Sequence, residues 1–229
     1  MIIGSGMMAR AFAAYESNPE VLVFASGVSD SMEQRPAAFD RERGLLAQAM
    51  AAHRDALLLY FGTCSVYDPD RRDTPYVGHK VAMEELIAAS PNPWMVLRLP
   101  LAIGPGHRGN ALANYLYERI QRGETFDVWA GATRYPVDVT DTFRIASRLL
   151  ADRAFWRRRI NVALRAYRVM DFVAIFERIV AKRAHFNLLD KGRPYEVHCP
   201  ELASLAGELQ PDMSEGYLEK VLRKYFKGP

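Results

Sequence analysis

Apolar residues in this chain fall into short dense runs, separated by longer stretches in which they recur every three or four positions. The dense runs are Val21-Leu22-Val23-Phe24-Ala25, Ala56-Leu57-Leu58-Leu59-Tyr60-Phe61 and Trp94-Met95-Val96-Leu97-Arg98-Leu99, with the shorter Met1-Ile2-Ile3 ahead of them. Runs of this length that are apolar at consecutive positions predict strands covered on both faces. The stretches between them predict helices: Met7 to about Tyr15, Ala37 to Ala52, 76–89, 110–122, 140–152, 169–182 and a last one over Ser214 to Phe226. Two further strands are predicted at 126–129 and 159–163. Strand and helix alternate, which predicts a parallel sheet with helices on both faces and right-handed crossovers.

Composition narrows this little. The 229 residues are 49% hydrophobic, enough for one substantial core with a small appended lobe. Net charge is +3, and the cluster Asp152-Arg153-Ala154-Phe155-Trp156-Arg157-Arg158-Arg159 reads as a solvated helix end, so no nucleic-acid partner is expected. Cys64 and Cys199 have no metal-ligand spacing, so neither a metal nor a disulfide framework is expected. No run reaches the roughly 18–20 apolar residues of a membrane span, and Met1-Ile2-Ile3 is too short for a signal-peptide core. The expected setting is the reducing cytoplasm.

Chemistry enters with Pro75-Tyr76-Val77-Gly78-His79-Lys80. Tyr76 and Lys80, four apart at the front of a predicted helix, share one helical face. An ammonium within about 4–6 Å of a phenol lowers its pKa by roughly 1–3 units, which would make Tyr76 an acid/base near neutrality. Ahead of the pair stands the hydroxyl-rich turn Gly62-Thr63-Cys64-Ser65-Val66-Tyr67, and after it Leu99-Pro100 and Gly104-Pro105-Gly106. The first strand opens into Gly4-Ser5-Gly6-Met7-Met8-Ala9, a Gly-x-Gly-x-x-Ala turn that lets backbone approach a pyrophosphate.

In this order the motifs resemble the extended short-chain dehydrogenase/reductase family, which includes nucleotide-sugar epimerases, dehydratases and reductases, with gaps from Met1 to the C-terminus. The resemblance implies an α/β fold: a Rossmann-like parallel sheet (1–105 and 131–165) and a small C-terminal α/β substrate lobe (106–130 and 166–229). It implies NAD or NADP as cofactor, contacted by Gly4, Gly6, Met7, Met8, Ala25, Ser26, Gly27, Tyr76, Lys80, Leu99 and Pro100, with Lys80 on the nicotinamide ribose. It implies catalysis by Thr63, Tyr76 and Lys80, Thr63 lying four before Tyr67 as the family's hydroxyl residue does. Ser65 is the alternative hydroxyl. Arg134, in Thr133-Arg134-Tyr135-Pro136, is the candidate phosphate ligand of a nucleotide-sugar substrate, while for Arg98 phosphate binding competes with salt bridging. His107 is the candidate second proton donor.

Departures from the family restrict the reaction. Dehydratases follow the threonine with Asp-Glu, where this chain has Cys64-Ser65, so elimination of water is not expected. Cys64 is three residues before Tyr67, not the two of the epimerase-reductases that make GDP-fucose, and their cysteine role does not carry over. The remaining expectation is a 4-keto-sugar reductase in surface polysaccharide or glycoconjugate synthesis, with an epimerase or a non-catalytic binding scaffold as alternatives. Between the Gly-rich turn and Val21 the chain has room for a single helix. Either Val21–Ala25 is the family's second strand, with Asp30 reading the ribose, or Phe24-Ala25-Ser26-Gly27 matches a later strand and the adenosine-side strands are absent. The second reading keeps every later element in register. It makes the first strand a sheet edge, where a homo-oligomer contact is expected.

Overall fold

A computed structural model describes residues 1–106 and 111–228. Five parallel strands form the central sheet: β1 (Ile2–Ile3), β2 (Val21–Phe24), β3 (Leu57–Thr63), β4 (Trp94–Leu99) and β9 (Arg158–Asn161), in the order β1-β2-β3-β4-β9. Alternation along each strand sorts the apolar runs onto two faces. Val21, Val23, Leu57, Leu59, Met95 and Leu97 enter one core with Phe12, Ile145 and Leu149. Leu22, Phe24, Leu58, Tyr60 and Val96 enter the other, with Leu46, Met50, Met83 and Ile87. A strand buried on both sides has no polar alternate positions, which is why the runs read as continuous.

Four helices complete this unit: α1 (Met7–Ala11) and α5 (Val139–Leu150) on the first face, α2 (Pro36–Ala52) and α3 (Pro75–Ala88) on the second. The strand order settles the first strand's place. β2 pairs β1 on one side, Ile2 against Val23, and β3 on the other, Val23 against Leu59. β2 therefore occupies the later-strand position, and the reading that would put Asp30 on an adenosine ribose fails. β1 is an edge with no outer strand partner among the described residues.

Handedness departs from expectation. The strand order runs one way, yet the four connections divide between the two faces, α1 and α5 over one, α2 and α3 over the other. Steps in one direction over opposite faces have opposite hands, so two of the four crossovers are of the uncommon hand.

The rest of the chain packs on the first face: β5 (Leu101–Ile103), α4 (Leu112–Arg122), β6 (Phe126–Trp129), β7 (Thr133–Arg134), β8 (Pro136–Asp138), β10 (Tyr167–Arg168), α6 (Val169–Val180), β11 (Phe186–Leu189), α7 (Pro200–Ser204), α8 (Ala206–Leu209) and α9 (Tyr217–Tyr225). β5 pairs β8, β6 pairs β11, and β7 pairs β10 antiparallel. No helix among the described residues is long and apolar enough to cross a membrane.

Candidate active site

Parallel strands bring their carboxyl ends to one rim, where open α/β sheets bind ligands. Here the rim carries the Gly-rich turn after β1, Ala25-Ser26-Gly27 after β2, Thr63 at the end of β3 and Leu99-Pro100 after β4. The Thr74 side chain caps α3, accepting from Val77 N at 3.4 Å, with Pro75 in the first turn. This start places Tyr76 in the helix's first turn and Lys80 one turn on.

Thr63 and Tyr76 come together. Both are buried, at 5% and 8% exposure, and the Thr63 side chain lies close enough to the phenol to act on its ionisation. Thr63 Oγ1 also accepts from Ser65 N at 3.1 Å. Burial pushes the Tyr76 phenol up to about 12; the nearby Thr63 side chain and the Arg71 charge oppose this, while Glu42 and Asp30 add to it.

Lys80 behaves otherwise than its spacing suggests. Its ammonium is buried and donates to Glu42 Oε1 at 3.1 Å, Tyr60 OH at 3.0 Å and Phe61 O at 3.2 Å. An ammonium has three N–H groups, so none is left for Tyr76 or a ribose. The expected lowering of the tyrosine pKa is replaced by a rise: burial drives it, and the Glu42 carboxylate that Lys80 is paired with adds to it. Glu42 has no solvent exposure and takes four donors: Lys80, Tyr60 OH at 2.5 Å, His79 Nε2 at 2.9 Å and Val28 N at 2.6 Å. Burial pushes its carboxyl up, but His79, Lys80, Tyr60 and Val28 outweigh this and hold it at about 2. Burial pushes the Lys80 ammonium down, against the pull of Glu42. A side chain at Gly27 would lie 2.8 Å from both Lys80 Nζ and Glu42 Oε1, so the loop closes directly over the pair.

The residues expected to meet a dinucleotide divide. Gly4 has φ +128°, and a Cβ there would stand 2.4 Å from Ala25 O, so this glycine serves the close approach of β1 to β2. Gly6, at the start of α1, has open space where a Cβ would be, and Arg10 Nη1 lies alongside, donating to Ser5 O at 2.9 Å. Open backbone beside a cation fits a pyrophosphate. Met8 packs on the first core, and Met7 is turned toward Gly104, where a Cβ would meet its sulfur at 2.8 Å. Ser26 O is bound by Arg41 Nη2 at 3.0 Å. Leu99 is buried and Pro100 half-buried at the rim.

Among substrate candidates, Ser65 is half-buried beside Thr63. Arg134 Nη1 lies 3.4 Å from the buried Asp68 and donates to Thr133 O. His107 lies outside the described residues. Arg98 is a structural cation, forked onto buried Glu84 at 3.0 and 2.6 Å. Cys64 is fully buried, with Sγ 3.1 Å from Arg98 O, and burial pushes its thiol up. No three His, Cys, Asp or Glu among the described residues are grouped to hold a metal.

Sequence reasoning missed Glu42, Tyr60, Asp68 and Arg71. One signal was available: Glu42 falls on the stripe of Leu46, Ala49 and Met50 that α2 buries, and a carboxylate on an apolar stripe requires buried partners. Asp68 and Arg71 stand in an irregular turn with no periodicity to mark them.

No family model matches the sequence, and no curated protein does. Solved structures share the fold. RMD from Pseudomonas aeruginosa, solved with NADPH, matches with a TM-score of 0.69 at 17% identity, over 97% of this chain and 95% of its own. UDP-glucose 4-epimerase from Thermus thermophilus, solved with NAD, matches with a TM-score of 0.68 at 16% identity, over 92% and 78%. UDP-glucuronic acid 4-epimerase from Bacillus cereus, solved with UDP-glucuronic acid and NAD, matches with a TM-score of 0.69 at 18% identity, over 89% and 73%. At these identities the likeness establishes the Rossmann-like α/β architecture.

Proposed function

We propose that this chain is an NAD(P)-dependent oxidoreductase of nucleotide sugars, a 4-keto-sugar reductase serving surface polysaccharide or glycoconjugate synthesis. The observation that carries the reading is the Thr63–Tyr76 hydroxyl pair at the carboxyl end of the central strand. The Gly4–Gly6 turn with Arg10, and Ala25 to Gly27, would hold the dinucleotide; when bound it supplies or accepts the hydride. Thr63 orients the substrate oxygen, and Tyr76 gives that oxygen its proton. A phenol that burial pushes up is protonated at neutral pH, the state that donation to a substrate oxygen requires. An epimerase must also run the oxidative half, for which the same tyrosine has to accept a proton. Arg134 and the lobe formed by 106–130 and 166–229 take the nucleotide sugar.

Tyr76→Phe tests the assignment: on a panel of 4-keto sugar nucleotides the turnover is expected to fall by about 10²-fold or more, the usual worth of a positioned acid. Undiminished turnover refutes it. Retention of cofactor through purification would favour the epimerase.

One observation favours a non-catalytic scaffold instead. Lys80 has spent its three N–H groups on Glu42, Tyr60 and Phe61. Absence of NADH and NADPH binding at millimolar concentration would select that reading.

A further inference from the structure

This inference rests on the nucleotide-sugar reading and names the class of sugar. Three carboxylates around the Thr63–Tyr76 pair are in ion pairs: Asp68 with Arg134 at 3.4 Å, Asp70 with Arg193 at 3.0 Å, and Glu42 with Lys80 at 3.1 Å; Asp30, before Ser31, also bears on the Tyr76 phenol. Arg71 is in no ion pair with a described carboxylate, although the Asp68 charge reaches it. Its side-chain partners among the described residues are the Ser31 hydroxyl at 3.0 Å and the Met32 sulfur at 3.8 Å, both uncharged.

Arg71 is held from several sides. Its amide donates to Asp68 O at 3.0 Å, in the turn that follows Tyr67. Ser31 belongs to the loop after β2, and Val28 of the same loop packs with Tyr76 and Val77. From the other side, Arg193 grips Asp70 and Pro69 O, and Tyr195 is fixed against Tyr135 by ring contact at 5.6 Å and by a 2.7 Å bond from the Tyr135 hydroxyl to Tyr195 O. Burial lowers the Arg71 pKa, the Arg134 charge adds to this and Asp68 opposes it, and the Arg71 charge bears on the phenols of both Tyr76 and Tyr195. A half-buried guanidinium with no ion pair is under-satisfied, and its planar fork matches a carboxylate with two parallel hydrogen bonds.

We infer that Arg71 receives an anionic substituent carried on the sugar beside the reacting carbon, so that the substrate is an acidic nucleotide sugar, a hexuronate, in preference to a neutral hexose. The proximity to Tyr76 decides for the sugar, because the phenol must stand at the reacting carbon while the diphosphate leaves from the far side of the ring.

Calorimetric titration separates the sources of negative charge. The probes are UDP and GDP, the neutral UDP-glucose and GDP-mannose, and the hexuronates UDP-glucuronate and GDP-mannuronate. Against the intact chain one hexuronate should bind roughly tenfold tighter than its neutral counterpart, the worth of one charge-assisted hydrogen-bond pair. Arg71→Met should bring that ratio to within about twofold, and Arg71→Lys should keep part of it, since the charge remains and the fork is lost. A ratio is insensitive to partial unfolding, which weakens both sugars alike. Equal affinities in the intact chain, or a ratio that survives Arg71→Met, overturn the inference. Parallel loss of UDP or GDP binding in Arg71→Met assigns the arginine to the diphosphate and overturns it too. Failure of all six probes to bind is a different result: it removes the nucleotide-sugar reading itself.

Discussion

Replacing Glu42 by glutamine keeps the shape of the side chain and removes its charge, leaving the Lys80 ammonium buried without a counter-ion. The carboxyl is held from its ordinary 4.5 down to about 2 in the folded chain. At about 1.4 kcal/mol per pH unit, that depression corresponds to about 3 kcal/mol. The sign follows from the direction: a depressed carboxyl stabilises the fold fully above its unfolded value, and the contribution is lost as pH falls through the folded one. At pH 7, breaking a buried pair by removing one partner costs about 3–5 kcal/mol, and for a chain of this size that lowers Tm by about 6–20 °C. Urea unfolding of the intact chain and Glu42→Gln at pH 7 and in steps to pH 3 measures both quantities. The difference between them should be several kcal/mol at pH 7 and should shrink below about pH 4.5, because only the intact chain loses this carboxylate. Adding Lys80→Met to Glu42→Gln should restore much of the loss, since a neutral pair has no stranded charge. A pH 7 difference under about 1 kcal/mol, or one that stays constant down to pH 3, refutes the claim that Glu42 and Lys80 are a coupled buried pair.

Gly4→Ala should destabilise the fold by about 2 kcal/mol or more, read by thermal melting, because φ is +128° and the new Cβ would sit 2.4 Å from a backbone oxygen. In the reductive direction kcat should not fall on an ionisation at neutral pH and should decline only as the solution approaches the Tyr76 value of about 12; stopped-flow rates across alkaline pH check this, and an inflection near pH 8 would mean that Lys80 does lower the phenol.

Strands β3 and β4 and helix α3 were legible because their signals are local: unbroken apolar runs for strands covered on both faces, and apolar positions recurring every three or four residues for the helix. The missing adenosine-side strands were legible as well, since a stretch with room for one helix has no room for the additional strands. Spacing also placed Tyr76 and Lys80 on one face of α3. The partner that Lys80 takes was not legible. Glu42 is 38 residues away, and its choice of Lys80 depends on α2 and α3 lying side by side on one face of the sheet. Arg71 is silent for the same reason: its lack of an ion pair depends on which neighbours Asp68 and Asp70 find, one of them 123 residues distant. Crossover hand likewise depends on which face each helix chooses. Local pattern thus determined the elements and the order of the chemistry-bearing residues. Packing alone decided which charges cancel, because electrostatic partners in a folded chain are set by distances in space that no spacing along the chain encodes.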